Sequence, residues 1–210
     1  MKNKIVIIAN GTVNNLDFHK KLLENVDVII CADGGAYTAK QMNIVPDYII
    51  GDLDSTSAST LEYFRNLNTK IINDDAQDKT DLELALSLAG TLEPIEIIIL
   101  GAIGDRIDHT LANILCLANL KSNIKARIID EKNTIELIDK STEIVGDKDD
   151  IVSIVPLTDI SGLTYTGMKW LVSNEDTRIG WFGISNRLSE TNASVGLKDG
   201  KLLVIRVNES

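Results

Sequence analysis

Two carboxylates stand one residue apart in "PDYIIGDLDST", residues 46–56: Asp52 and Asp54. Like charges that close repel, and a cation held between them is the usual resolution. Similar residues recur elsewhere in the first half, each time just after an apolar run. Asn10-Gly11 follows "KIVIIA", and Asp33, Gly34 and Gly35 follow "VDVIIC". Asp74, Asp75, Gln77, Asp78, Thr80 and Asp81 follow "TKII"; Gly101, Gly104, Arg106, Asp108 and His109 follow "IEIIIL". Oxygen donors without a cluster of Cys or His narrow a metal to Ca²⁺, Mg²⁺ or Mn²⁺. Magnesium takes few protein carboxylates and binds largely through substrate phosphates. Glycine-rich turns and an arginine would supply the remaining phosphate contacts. Spacing alone points to a Mg²⁺–nucleotide site for phosphoryl-type transfer, in which Asp52 and Asp54 share the metal.

Those residues need a frame that gathers them. The apolar runs at 4–9, 26–32, 47–50, 69–72 and 95–100 are continuous rather than alternating, the pattern of parallel strands buried on both faces. Helical patterns fall between them: "FHKKLLEN", "AYTAKQMN", "STLEYFRNL", "TDLELALSLAGTL" and "HTLANILCLANL". In the fourth, Leu82, Ala85, Leu86 and Ala89 share a face; in the fifth, Leu111, Ile114, Leu115 and Ala118 do. Repeated strand–helix units predict a doubly wound parallel sheet. The loops after its strands gather at one edge, where such sheets bind ligands. Near residue 123 the pattern changes to short β-like runs broken by Gly, Asp and Asn, with "KDG" before "KLLVIRV" as a hairpin signal. The expected architecture is an α/β nucleotide-binding domain at 1–123 and an all-β sandwich at 124–210.

Plainer structural roles compete for several of these residues. Paired glycines after a strand supply positive φ at a turn. Asp54 or Ser55 suits the N-cap of the following helix, and Asp108 the N-cap of the last one. Thr80 and Glu83 have capping-box spacing, which puts Asp81 in a first helical turn where its charge is favourable. His109 at a helix start is more often structural than catalytic. Trp170 and Trp181 suit either a cationic ring system or the sandwich core, and core is the expectation. None of these roles explains Asp33, Asp52, Asp54, Asp78, Asp81 and Asp108 converging together.

The 210 residues carry 21 Lys and Arg against 31 Asp and Glu, a net charge of −10, which argues against a nucleic-acid polymer as partner. No apolar run reaches the ~18 residues of a membrane span. The apolar part of the N-terminus is too short for a signal peptide, and Cys31 and Cys116 sit in apolar strings as free thiols would in a reducing compartment. A cytoplasmic protein without membrane association is expected.

"ADGGA", "PDYIIGDLDS", "QDKTDLELAL" and "GDRIDHTLAN", in that order and followed by a β-rich half with "SN", resemble the thiamine pyrophosphokinase family over nearly the whole chain. The resemblance implies Mg²⁺-dependent transfer of diphosphate from ATP to the hydroxyl of thiamine, giving thiamine diphosphate and AMP. It also implies a homodimer whose thiamine pocket is shared between the α/β domain of one subunit and the β domain of the other. Carried over by motif, Asp52, Asp54 and Asp81 would hold Mg²⁺. Asn10, Asp33, Gly34, Gly35, Arg106, Asp108 and His109 would line the nucleotide site. Gln77, with Asp78 and Thr80 beside it, would face thiamine, as would Ser185 and Asn186 from the partner's side. Asp78 or Asp81 would accept the hydroxyl proton. Gly104-Asp105-Arg106 departs from the family's Gly-Gly-Arg and adds a negative charge beside the expected phosphates. A Mg²⁺-dependent phosphohydrolase, or a diphosphokinase for another alcohol, would use the same acids. A non-catalytic nucleotide-binding module would not need so many.

Overall fold

A computed structural model describes residues 3–75, 78–121 and 123–208. The chain divides into two compact units, Met1–Glu131 and Lys132–Ser210. The first is built from the parallel strands β1 (Lys4–Ile8), β2 (Val28–Ala32), β3 (Tyr48–Gly51), β4 (Lys70–Asn73), β5 (Glu96–Leu100) and β6 (Lys125–Ile129). Between them run the helices α1 (Leu16–Leu22), α2 (Gly35–Gln41), α3 (Ala58–Asn66), α4 (Asp81–Thr91) and α5 (Ile107–Cys116). The strand order is β6-β5-β1-β2-β3-β4. The segment "KARII", assigned to the second unit by a boundary at 123/124, instead pairs in parallel with β5 as the sheet's sixth strand. Its polarity pattern matches the antiparallel strands that follow, and only pairing tells them apart.

Both faces of this sheet are covered, which is why its strands read as continuous apolar runs. Ile5, Val6, Ile7 and Ile8 are all fully buried. Val6, Ile8, Cys31, Ile49, Ile98 and Leu100 pack with Ala36 and Ala39 of α2 and Phe64 of α3. Neighbours along a strand point to opposite sides. Ile5, Ile7, Ile30, Ile97 and Ile99 therefore face the other way and are equally buried. Helix α4 packs on β1, β2 and β3 with Leu82, Ala85, Leu86 and Ala89 buried as its periodicity predicts. Helix α5 differs from its expected packing: Cys116 is its buried residue, whereas Leu111 and Leu115 are both 53% exposed.

The second unit is a sandwich of eight strands among the described residues. They are β7 (Asn133–Ile138), β8 (Ser141–Val145), β9 (Ile151–Pro156), β10 (Ile160–Thr166), β11 (Val172–Thr177), β12 (Gly183–Arg187), β13 (Asn192–Gly196) and β14 (Leu202–Val207). One layer has the order β12-β9-β14-β7, the other β11-β10-β13-β8. A single core joins them, with Val152, Ile154, Leu202 and Val204 from one layer and Leu163, Tyr165 and Val195 from the other. The α/β plus β-sandwich expectation is met. "KDG" is not a hairpin turn: β13 pairs with β8 and β10, while β14 pairs with β7 and β9. The turn carries the chain between layers, with Gly200 at φ 111°. Trp170 is also not core, being 54% exposed with Lys169 Nζ 4.7 Å from its ring centre. Trp181 packs partly buried against the core.

Candidate active site

Strands β2 and β5 flank β1, so the order of the sheet reverses at β1 and opens a crevice beyond its carboxyl end. Two loops form one wall. The Gly11 N–H donates to Gly101 O (2.6 Å) and the Thr12 N–H to Ile103 O (3.1 Å). A Cβ on Gly11 would lie 2.3 Å from Gly101 O, so only glycine allows this approach. Helix α5 ties the second loop down: Asn113 Nδ2 donates to Ala102 O (2.8 Å), and Thr110 Oγ1 accepts the Gly104 N–H (3.2 Å). The resulting cleft measures about 690 Å³ and reaches from Ala9–Thr12 across Asp52, Asp54 and Ser55 to Lys79–Leu82 and Gly104–Arg106.

The opposite wall is acidic. Carboxylate oxygens of Asp33, Asp52 and Asp81 all lie within 4.8 Å of one another. Gly51, at φ 149°, makes this possible: a Cβ there would stand 2.6 Å from Asp81 Oδ1 and 3.0 Å from Asp33 Cβ. Asp81 opens α4 behind Thr80, whose hydroxyl accepts the Glu83 N–H (3.3 Å) while Glu83 Oε2 accepts the Thr80 N–H (2.9 Å). The capping box therefore forms as its spacing predicts. Burial, and then the charges of Asp33, Asp52 and Asp54, hold the Asp81 carboxyl above the usual carboxylate range. Asp33 is 1% exposed at φ 36°. It accepts the Ser55 N–H (3.0 Å) and the Thr56 hydroxyl (2.9 Å), and so pins the loop after β3. Leu53, at φ 63°, packs partly buried against the core that includes Ala36, Ala39 and Phe64, anchoring the two acids beside it.

Asn10, Asp52, Asp54, Thr80, Asp81, Arg106 and His109 line the cleft. The tight oxygen group contains Asp33 rather than Asp54, whose Oδ1 accepts from the Ser55 hydroxyl (3.0 Å). Gly34 and Gly35 serve packing, not positive φ: their added Cβ atoms would meet the Asn10 side chain (2.3 Å) and Ile8 O (2.0 Å). The positive φ belongs to Asp33. The cap of α3 is Ser57, not Asp54 or Ser55. Asp108 is not a cap either; Arg106 holds that position in α5. Asp108 instead pairs with Arg106 through both carboxylate oxygens, at 3.2 and 2.5 Å. This pair holds Asp108 down at about 2 although both groups are exposed. Asp78 is exposed on the turn before α4, and Gln77 lies outside the described residues.

In the second unit, Ser185 is exposed at φ 59° in an irregularity of the β12–β9 pairing. Asn186 is buried and committed: Oδ1 accepts the Trp170 N–H (3.1 Å), and Nδ2 donates to Trp170 O (2.7 Å). Thr12, Lys79, Thr110 and Asn113 were not singled out by the sequence reading. For Thr110 and Asn113 the available signal was their (i, i+3) spacing on the first turns of α5.

A doubly wound sheet with an acid-walled cleft at its switch point, followed by a β-sandwich, defines a two-unit α/β protein equipped to handle phosphates. Residues 19–128 match the family model for the thiamin pyrophosphokinase catalytic domain, and residues 134–202 that for the thiamin pyrophosphokinase vitamin B1 binding domain. The chain is 32% identical to the thiamine pyrophosphokinase of Bacillus subtilis, over 96% of this chain and 97% of that protein. A crystal structure of thiamine pyrophosphokinase from the same organism superimposes with TM-score 0.86 at 31% identity, covering 99% of this chain and 100% of the other. The structure from Geobacillus thermodenitrificans gives 0.84 at 25% identity, covering 99% and 98%. The chain belongs to the thiamine pyrophosphokinase family. No helix among the described residues is long and apolar enough to cross a membrane.

Proposed function

We propose that this protein transfers diphosphate from ATP to the hydroxyl of thiamine, releasing AMP and thiamine diphosphate. The observation that carries the reading is the triad of carboxylates converging within 4.8 Å at the switch-point cleft, in a chain of this family. Three hard oxygen donors, two of them lining the cleft, fit a magnesium ion. Asp52 and Asp81 would hold it, with Asp54 beside them, and the bound ion would neutralise phosphate charge. Asp33 acts behind them by fixing the loop that carries Asp52 and Asp54. The β1 and β5 loops, with Asn10, Arg106 and His109, would cradle the nucleotide. Asp78, exposed just before Asp81, is the carboxylate left to accept the hydroxyl proton.

The acceptor pocket is completed by a partner subunit in this reading. Support comes from exposed apolar surface on each unit. Helix α5 carries Ile107, Leu111 and Leu115 at (i, i+4, i+8), and the sandwich exposes Trp170, Leu171, Phe182 and Ile184. Ser185 and the Trp170 face would meet thiamine, the ring attracting its cationic thiazolium. Asn186 sets the Trp170 backbone rather than touching the ligand. The buried free thiols of Cys31 and Cys116 suit a reducing cytoplasm.

Purified protein mixed with ATP, Mg²⁺ and thiamine should form AMP and thiamine diphosphate in equal amounts, and neither without thiamine. Asp81→Asn should lower turnover by ~100-fold or more with the fold intact by circular dichroism. Phosphate or AMP released regardless of thiamine would point to a hydrolase instead.

A further inference from the structure

The cleft carries more negative than positive charge before any substrate enters. Asp52, Asp54, Asp81 and Asp105 line it, against Lys79, Arg106 and His109. A polyphosphate entering here needs cations aimed at it, and the two permanent ones differ in availability. Both hydrogen bonds of the Arg106 fork go to Asp108, at 3.2 and 2.5 Å. Turning to a phosphate would cost Arg106 that pair. Lys79 makes no ion pair with any other described residue, and it is exposed. Its backbone directly precedes Thr80, whose capping box fixes the start of α4, and Asp81 follows one residue later. Lys79 therefore joins the cleft from the capped start of α4, two residues before Asp81, on a flexible stem with three donors.

We propose that Lys79 is a catalytic residue of this site, binding the diphosphoryl group that is transferred. The role rests on the diphosphotransfer reading above. In that step the thiamine oxygen forms a bond to the β-phosphorus, and the bond from that phosphorus to the bridging oxygen breaks. The bridging oxygen leaves with AMP, and the hydroxyl proton goes to a carboxylate or water. Lys79 keeps its proton and contributes charge and hydrogen bonds to the moving oxygens. Arg106, already paired with Asp108, is left for the AMP portion.

The test compares wild type, Lys79→Met and Lys79→Arg in two assays. In the first, calorimetric titration with inorganic pyrophosphate plus Mg²⁺, and separately with AMP, reads the contact without turnover. Lys79→Met should weaken pyrophosphate binding ~10-fold or more and leave AMP binding within about twofold, with Lys79→Arg between. In the second, kcat/KM for ATP should fall ~100-fold in Lys79→Met while the KM for thiamine stays unchanged. Unaltered pyrophosphate binding in Lys79→Met, or a loss of AMP binding instead, overturns the assignment. Wild-type protein that binds pyrophosphate through Lys79 yet makes no thiamine-dependent AMP overturns the diphosphotransfer reading and the catalytic role with it.

Discussion

Asp81 shows how this site trades stability for chemistry at the level of single residues. Its carboxylate is partly buried against Asp33 and Asp52, and its proton affinity is raised by burial first and by those charges second. A raised carboxylate pKa in the folded state means that ionised Asp81 opposes folding at neutral pH. Replacing it with Asn removes that repulsion at nearly constant volume. Asp81→Asn should therefore melt higher than wild type without divalent metal. Added Mg²⁺ should raise the melting temperature of wild type and leave that of the variant nearly unmoved, because a ligand stabilises only the state that binds it. Differential scanning calorimetry at pH 7 with and without Mg²⁺ checks both; a variant that melts lower than wild type in the absence of metal would refute the account. The same scale explains the asymmetry between Arg106 and Lys79: one cation already has a carboxylate partner, and the other has none among the described residues.

Elements position these residues through contacts that leave no room for a side chain. Helix α2 can sit on β1 because Gly35 has no Cβ; one placed there would be 2.0 Å from Ile8 O, a backbone atom that cannot swing aside. Gly35→Ala must push the helix start outward and disturb Asp33 just before it. A loss of about 1–3 kcal/mol is expected for such overpacking, read as a lower denaturation midpoint at unchanged slope. Stability equal to wild type would mean that α2 is free to shift. The capping box of α4 does related work on the same acidic wall, and the Asn113 and Thr110 anchors of α5 do it on the opposite one. Local hydrogen bonds at helix starts place the chemistry, while the buried strands beneath supply the rigidity.

At the scale of the whole molecule, exposed apolar surface is what the single chain leaves unresolved. Ile107 is 68% exposed, and with Leu111 and Leu115 it forms a stripe on α5 that water alone covers poorly. The sandwich exposes Trp170, Leu171 and Ile184 in the same way. A dimer of the proposed kind should appear at micromolar concentration in sedimentation velocity. Leu115→Asp, a change at an exposed position, should shift the population toward monomer. It should also raise the KM for thiamine far more than the KM for ATP, since only the acceptor pocket depends on the partner. A wild-type monomer with full activity would remove the shared pocket from the mechanism.

Much of this was legible in the sequence, and for identifiable reasons. Continuous apolar runs such as "KIVIIA" declare parallel strands because burial on both faces abolishes alternation, and Thr80 with Glu83 declares a helix start because a capping box is local. A parallel sheet sends every strand's carboxyl end to one edge, and on that ground six acids were expected there; of these, Asp33, Asp52 and Asp81 form the tight group and Asp54 lines the cleft, while Asp78 and Asp108 are not among its lining residues. Tertiary structure decided what depends on long-range approach. Asp33 joins the tight oxygen group through a bare Gly51, Gly34 and Gly35 are spent on helix–strand contact, and the segment from Lys125 becomes a sixth parallel strand by pairing with β5. It likewise decided that Arg106 is bound to Asp108 while Trp170 stands in solvent. Residue type and spacing fix which groups exist and on which edge; only the folded packing fixes which of them are already engaged.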